Sequence, residues 1–443
     1  MTGNLTSVTT GRRFYLETLG CPKNQVDSDK IVGSLLADGM APTDDPSAAD
    51  LVVVNTCAFI DEARRESIDT ILALDDRRAD GSRLVVTGCM AERYGDELAA
   101  ALPEVDSVAG FGVPVAAPTP RRTIPVTEIP LPTFDLLNLP RPASARPWAY
   151  VKVAEGCNRS CGFCAIPSFR GPQRSRDVQS ILDEVEALQA REIVLVAQDL
   201  ASYGTDRPDE LGAGSIVPLV KAVGDLVDRV RLLYLYPSDL NDALIDVILD
   251  SGVPYFDLSL QHVSRPLLRR MRRWGDGDRF LERIQTIRAR QSDAAMRSNF
   301  IVGYPGETEE DHDQLLRFVQ EAQLDWCGFF SFSPEEGTHA MSLDGHVPEG
   351  LMAERLAELR ELQDGITAER RDALIGTDLA VLVDEVGIGR SHYEAPEIDG
   401  VIHLAPDLVV GDEAIVTIVD ANGPDLIAEG GFVPDDPDAA MMS

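Results

Sequence analysis

Three times in its first ninety residues the chain runs an apolar segment into a cysteine and then into a helical pattern. "RRFYLETLGCPKN" reaches Cys21, "LVVVNTCAFI" reaches Cys57 and "SRLVVTGCMAE" reaches Cys89. The stretches that follow carry apolar residues at helical spacing: Val26, Ile31, Leu35 and Leu36 over 24–38, Ile60, Ile68, Ile71 and Leu72 over 60–74, and Met90, Tyr94 and Leu98 over 90–102. Strand, loop, helix, strand is the pattern of a parallel sheet with crossover helices. Ligands of such sheets sit beyond the carboxyl ends of the strands, so the three thiols are expected at one edge. A lone free cysteine is most often a small buried hydrophobe. Core filling serves for any one of the three and accounts poorly for all of them at equivalent positions.

The rest of the chain divides by composition. Residues 1–10 are polar and expected to be disordered, and 11–110 hold the βα domain. From 111 to 147 the chain changes character, with nine of the 28 prolines in segments such as "APTPRRTIP" and "LPRPASARP". Proline at that density forbids helices and central strands, which predicts an extended linker. Alternation resumes over 148–373, where "AYVKVAEG", "IVLVAQD", "VRLLYLYP", "YFDLSLQH", "MRSNFIVG" and "WCGFFSFSP" are strand candidates with helices between them, for instance over 177–190 and 308–323. Six βα repeats predict a barrel or partial barrel with chemistry at its carboxyl-end loops. A long helix over about 350–373, with Leu356, Leu359, Leu362 and Ile366 on one face, leads out of it. From 374 to 434, "DLAVLVDEV", "DGVIHLAP" and "DEAIVTIVDANG" are short runs broken by Gly, Pro and Asp, as in a small all-β barrel. An acidic tail occupies 435–443. The fold class is α/β, with an amino-terminal parallel βα domain, a central partial (β/α)6 barrel and a carboxy-terminal β-barrel.

Charge and cysteine usage narrow the function. Forty basic against 74 acidic residues leave a net charge of −34. That balance disfavours general nucleic-acid binding, which draws its affinity from Lys and Arg on phosphates, and it favours a basic partner; solubility in a salty cytoplasm would produce the same sign. No run of 18 apolar residues and no secretory leader pattern is present, which points to a cytoplasmic protein without membrane attachment. Seven cysteines in such a chain suit metal or redox chemistry better than a disulfide framework.

A second thiol group, "EGCNRSCGFCAIPSFRG", places Cys157, Cys161 and Cys164 in a C-x3-C-x2-C pattern after the first strand of the central region. Structural zinc takes four protein ligands, and no fourth Cys or His follows at suitable spacing. Three thiolates in a short loop suit a 4Fe–4S cluster with one iron lacking a protein ligand. A small molecule bearing an amine and a carboxylate could chelate that iron.

This spacing after the first strand of a βα barrel resembles the signature of radical S-adenosylmethionine enzymes. "LGCPKN", "NTCAF", "TGC" and "GCNRSCGFCAIP", in that order, resemble the methylthiotransferase branch, and "FIVGYPGETEED" and "FSPEEGTHA" extend the match over about 13–433. The resemblance implies a TRAM domain at the carboxyl end and two 4Fe–4S clusters, one on Cys157, Cys161 and Cys164, the other on Cys21, Cys57 and Cys89. The latter would carry an exogenous sulfide or persulfide. It further implies two S-adenosylmethionine molecules, one giving a methyl group to sulfur and one cleaved by a low-potential electron donor to a 5′-deoxyadenosyl radical that takes hydrogen from the acceptor carbon. Gln198 and Asp199 in "AQDLASYG", Ser259 and Gln261 in "LSLQHVS", and Arg297 and Gly303 in "MRSNFIVGYPGE" are the cofactor-binding candidates. Each has a plainer alternative: a strand-end cap for Gln198 and Asp199, a turn requirement for Gly303 and Gly306, a satisfied loop imidazole for His262. Cys327 fits no motif and reads as core.

Two acceptors are known for the branch: an adenosine of transfer RNA, and an aspartate of ribosomal protein twelve of the small subunit. "LGCPKNQVDSDKI" and "GRSHYEAPEIDGVIHL" resemble the ribosomal-protein branch. Charge agrees. From 375 to 443 there are 15 acidic residues and one basic one, Arg390, so 15 − 1 leaves 14 negative charges. A barrel gripping RNA should present cations and stacking aromatics, and here only Arg390, Tyr393 and Phe432 stand among the carboxylates. Such a surface would attract a basic ribosomal protein. A transfer RNA acceptor, and an iron–sulfur electron carrier or scaffold without a cofactor pocket, remain open.

Overall fold

The computed structural model describes residues 11–116, 135–211 and 216–431. The polar start, the "APTPRRTIP" segment, Phe432 and the acidic tail lie outside the described residues. Two compact units form. One comprises residues up to Pro142 with Glu155–Cys157 and Ala165–Pro172; the other comprises Ala143–Ala154, Asn158–Cys164 and everything from Gln173 onward.

In the first unit the strands are β1 (Arg13–Thr18), β2 (Ala41–Pro42), β3 (Leu51–Thr56), β4 (Arg83–Gly88) and β5 (Ser107–Val108), in the order β2-β1-β3-β4-β5 and all parallel. Central β3 is buried along its whole length, which is why "LVVVNT" is a continuous apolar run instead of an alternating one. Crossovers are α1 (Pro22–Ala37), α2 (Asp61–Arg77) and α3 (Cys89–Ala101). Pro22 at the first turn of α1 costs no hydrogen bond and presets the helix. The two-residue edge strands β2 and β5 add to the three strands expected.

Over residues 135–142 the chain departs from a free linker. Leu136–Asn138 form a 3-10 turn, and Leu136 packs into the core around Phe14, Ile31 and Val53. Lys30 Nζ donates to the Leu137 carbonyl at 2.5 Å and Arg141 pairs with Asp29 at 2.8 Å. Burying Leu136 and Leu137 secures this part of the chain.

The second unit contains six parallel strands among its described residues in two ladders: β10 (Arg229–Leu232), β9 (Glu192–Val196) and β6 (Trp148–Lys152), then β11 (Tyr255–Gln261), β12 (Ala295–Val302) and β13 (Trp326–Ser331). A Leu235–Leu258 bridge joins them into a partial barrel. Short strands β7 (Ala154–Glu155) and β8 (Arg174–Ser175) accompany them. The helices are α4 (Ile166–Arg170), α5 (Val178–Leu188), α6 (Pro208–Leu211), α7 (Ile216–Gly224), α8 (Asp242–Leu249), α9 (Arg265–Arg270), α10 (Gly277–Arg290), α11 (Glu309–Ala322) and α12 (Glu349–Asp372); α4 belongs to the first unit. Side chains start many of them: Asp177 caps α5, Ser264 caps α9, and Thr308 with Asp311 forms a capping box on α11.

After α12, strands β14 (Asp378–Glu385), β15 (Ile388–Arg390), β16 (Ile402–His403), β17 (Glu413–Asn422) and β18 (Asp425–Ala428) close a barrel in the order β14-β15-β16-β18-β17. Its attachment is ionic and buried. Glu192 of β9 bonds Arg231 at 2.8 Å, Arg229 at 3.0 Å and, from the small barrel, Arg390 at 3.4 Å. Among the described residues no helix is long and apolar enough to cross a membrane.

Candidate functional site

Cys21, Cys57 and Cys89 stand at the carboxyl ends of β1, β3 and β4. Two glycines make that gathering sterically possible. Gly20, at φ +95°, would put a Cβ 2.8 Å from Cβ and 3.0 Å from Sγ of Cys57; Gly88, at φ +90°, would put one 2.3 Å from Asn55 Oδ1 and 2.5 Å from the Thr56 carbonyl. Any side chain at either position would push the strand ends apart. Cys21 is then the N-cap of α1, and Cys89 is the first residue of α3, where helix N-termini favour thiolate.

Asn24 ties the ends together. Its Nδ2 donates to the carbonyls of Leu19 at 2.9 Å and Thr56 at 3.0 Å, and its Oδ1 accepts from Cys89 at 3.5 Å. Asn55 Nδ2 in turn donates to the Asn24 carbonyl at 2.8 Å. The thiols feel one another: burial pushes Cys57 up to about 12, with the Cys89 and Cys21 sulfurs adding to the shift. Burial also raises Cys89, against the opposing charge of Arg170. Burial acts in the same sense on Cys21, yet Lys23, Arg170 and the backbone N–H groups of Asn24 and Lys23 bring it below the usual thiol range.

Among the described residues no three His, Cys, Asp or Glu are arranged to share a single metal ion. A four-iron cluster asks for something different, with each thiolate on a separate iron and the ligands further apart. Three clustered, desolvated thiols beside a guanidinium fit that requirement: a cationic iron core would offset the burial, and the smaller mutual repulsion, that push Cys57 and Cys89 up.

Cys157, Cys161 and Cys164 are half-buried in the loop after β6 and β7. Arg273 Nη1 lies 3.4 Å from Cys161 Sγ, and its guanidinium carbon sits 4.1 Å from the centre of the Tyr236 ring. Arg159 approaches the same ring at 4.0 Å. The strand pattern had singled out neither arginine.

The cofactor candidates separate into two groups. Gln198 and Asp199 follow the end of β9, while Ser259 and Gln261 close β11, at the barrel face where ligands of such folds bind. Asp199 Oδ2 accepts from Arg159 at 2.6 Å and from Ser202 at 2.7 Å, whereas its buried Oδ1 has no protein partner. Asn299 Oδ1, lying over Gly328, is likewise buried without one. Orphaned acceptors of this kind are costly unless a ligand satisfies them. Gln261 adopts φ +71°, a left-handed strain that non-glycine residues tolerate chiefly at functional positions.

Arg297 and Gly303 each have a structural partner. Arg297 sits near the start of β12, 3.4 Å from Asp399 and 3.8 Å from Asp257. Gly303, at φ +84°, would carry a Cβ 2.1 Å from Met352 Sδ; it permits a turn beneath α12. Gly306, at φ +90°, faces Arg270 in the same manner. His262 is fully buried, its Nδ1 accepting from the Ser264 N–H at 3.0 Å and its Nε2 without a partner, so it is half satisfied. Cys327 is half-buried against the main core and burial raises its thiol, in keeping with a packing role.

Comparison with known proteins adds independent findings. Residues 13–110 match the model of an uncharacterized protein family, UPF0004, residues 151–319 that of the radical SAM superfamily, and residues 375–430 that of the TRAM domain. A ribosomal protein uS12 methylthiotransferase RimO of Cutibacterium acnes is 41% identical over 468 residues, covering 94% of this chain and 97% of its own. The protein of the same description from Streptomyces coelicolor is 40% identical, covering 94% and 96%. That of Moorella thermoacetica is 42% identical, covering 89% and 93%.

Proposed function

Because the chain belongs to the family of ribosomal protein uS12 methylthiotransferases, RimO, we propose that its acceptor is an aspartate of ribosomal protein uS12, methylthiolated at the β-carbon. The chain is a radical S-adenosylmethionine methylthiotransferase of the cytoplasm in this reading, with iron–sulfur and S-adenosylmethionine chemistry. The observation that carries the two-site form is the gathering of Cys21, Cys57 and Cys89 against one another at a sheet edge, in a chain that also holds C-x3-C-x2-C.

Cys157, Cys161 and Cys164 would hold one 4Fe–4S cluster and Cys21, Cys57 and Cys89 a second. When bound, these groups and two S-adenosylmethionine molecules supply the electron transfer, the hydrogen-abstracting radical and the methylated sulfur that an unactivated C–H bond requires. The protein's share is to bind and to orient. Arg273 steadies Cys161, and Asp199 and Asn299 offer acceptors to a cofactor on the barrel face. Gln198, Ser259 and Gln261 border the same face. Three thiolates for four irons leave one position at each cluster for an exogenous ligand, the amino acid end of the cofactor at one and sulfide or persulfide at the other. A low-potential donor completes the partner set.

The small barrel favours the protein acceptor over RNA. Arg390 is buried and bonds Asp384 and Glu192, and Tyr393 is buried as well. Neither is available to phosphate or base, while the exposed carboxylates of the barrel, among them Glu385, Asp412, Asp420 and Glu429, suit a basic protein. The test is reconstitution with iron and sulfide without oxygen, then S-adenosylmethionine, a low-potential reductant, and uS12 and unmodified transfer RNA in parallel. Mass spectrometry should find hydrogen replaced by methylthio on the aspartate alone. Modification of transfer RNA alone would refute the acceptor; absence of both, without cofactor cleavage, would favour an electron carrier.

A further inference from the structure

Arg170 ends α4, six residues beyond Cys164 in the chain, yet its guanidinium is bonded into the group around Cys89. Nη2 donates to Cys89 Sγ at 3.0 Å and to Asn24 Oδ1 at 2.8 Å. Nη1 donates to Glu155 Oε1 at 2.8 Å, and Asp27 Oδ2 lies 3.4 Å from Nη1 and 3.5 Å from Nη2. The side chain is 3% exposed, and the Phe111 ring centre lies 4.5 Å from its guanidinium carbon. Burying a guanidinium demands carboxylate partners, and Glu155 on Nη1 and Asp27, between Nη1 and Nη2, meet that demand. Nη2 nonetheless also reaches Asn24 and the Cys89 sulfur, contacts that a simple ion pair does not need. A charged donor on a ligand sulfur fixes its orientation, strengthens as the sulfur becomes thiolate, and with net charge sets the potential of an iron–sulfur cluster.

We propose that Arg170 is a positioning residue of the amino-terminal iron–sulfur site: it holds Cys89 in its ligating orientation and supplies the positive charge that a three-thiolate cluster with an added sulfide needs. The proposal rests on the reading that Cys21, Cys57 and Cys89 hold a cluster. It also explains why the segment that follows the C-x3-C-x2-C loop packs Ala165 and Phe169 into the core of the first unit: those contacts bring Arg170 to its place.

The experiment uses the full chain with Cys157, Cys161 and Cys164 changed to Ala, so that only the amino-terminal thiols bind iron, reconstituted with iron and sulfide. Arg170, Arg170→Lys and Arg170→Gln forms are compared for iron lost to a chelator and for the reduction midpoint followed by electron paramagnetic resonance. Loss of an outer contact to a metal ligand costs about 10–100-fold in metal affinity, so Arg170→Gln should shed iron at least tenfold faster and reduce at a more negative potential. Arg170→Lys, which keeps the charge and loses the fork, should fall between. Identical iron retention and midpoint in folded Arg170→Gln would overturn the role. If that variant does not fold, Arg170→Lys decides: iron loss equal to the parent's would overturn the proposal and faster loss would support it. A parent that binds no iron refutes the cluster reading itself, which separates the two failures.

Discussion

Removing one carboxylate should loosen the small barrel from the larger one. Glu192 is fully buried and is shared by Arg231, Arg229 and Arg390. In Glu192→Gln, Arg390 would keep Asp384, with Nη2 at 3.0 Å from its Oδ1, and Arg229 would keep Glu413 at 3.4 Å. Arg231, fully buried, would keep the carbonyls of His392 at 3.1 Å and Ser391 at 3.2 Å and lose its carboxylate. One buried charge thus goes uncompensated, which costs about 3–5 kcal/mol. At about 2–4 °C per kcal/mol for a unit of this size, the apparent midpoint should fall by roughly 10 °C. Differential scanning calorimetry at pH 7 measures it, read as the shift of the second unit's transition because a chain of two units need not unfold in one step. Burial alone would raise the Glu192 pKa, but the charges of Arg231, Arg390 and Arg229 outweigh burial and hold it well below the usual carboxylate range. A depressed folded pKa stabilises above the unfolded value and is lost as pH falls through the folded one. Parent and variant should therefore stay apart at neutral pH and converge only below about pH 4, the unfolded glutamate range. A shift under 2 °C at pH 7, or a gap that widens in acid, would refute the clamp.

Burial holds His262 down at about 4 from an ordinary 6.5, with His312 and Arg355 also lowering it and Asp311 opposing. Its stabilisation is full above pH 6.5 and fades as pH falls toward 4, so His262→Gln should flatten that part of the stability profile measured in urea; an unchanged slope would rule the imidazole out. Gln261→Gly should relieve left-handed strain by about 1 kcal/mol and raise the melting point, and if Gln261 meets the cofactor the variant should also need more S-adenosylmethionine for half-maximal cleavage. Equal cofactor demand would remove Gln261 from the cofactor set. Gly303→Ala should destabilise by about 1–3 kcal/mol, and adding Met352→Ala should recover the steric part; recovery of stability without recovery of cofactor cleavage would return Gly303 to the cofactor site.

What was legible in the sequence follows from how local each cause is. The cysteines stood out because an apolar run, a turn and a helix start are all encoded within a dozen residues, and the glycines before Cys21 and Cys89 belong to the same short code. Helix bounds were likewise local: Thr308 and Asp311, three residues apart, spell the start of α11. Strands β2, β5, β15 and β18 have two to four residues each, too few for a period-2 pattern, and pairing with longer neighbours is what makes them strands. Arg297 has a structural partner that residue type alone does not reveal. Arg170 and Asn24 were hidden for the same reason, since their partners lie far off in the chain: 81 residues separate Arg170 from Cys89, and 65 separate Asn24 from the same thiol. The net charge of the small barrel was readable by counting, but its meaning depended on Arg390 turning inward. Arg390 is spent on Asp384 and Glu192, and Glu394 and Asp399 turn inward as well, so among the described residues of the barrel no Lys or Arg offsets the exposed carboxylates; the contacts that attach the barrel are thus also what leaves its surface free of the cations that RNA would need.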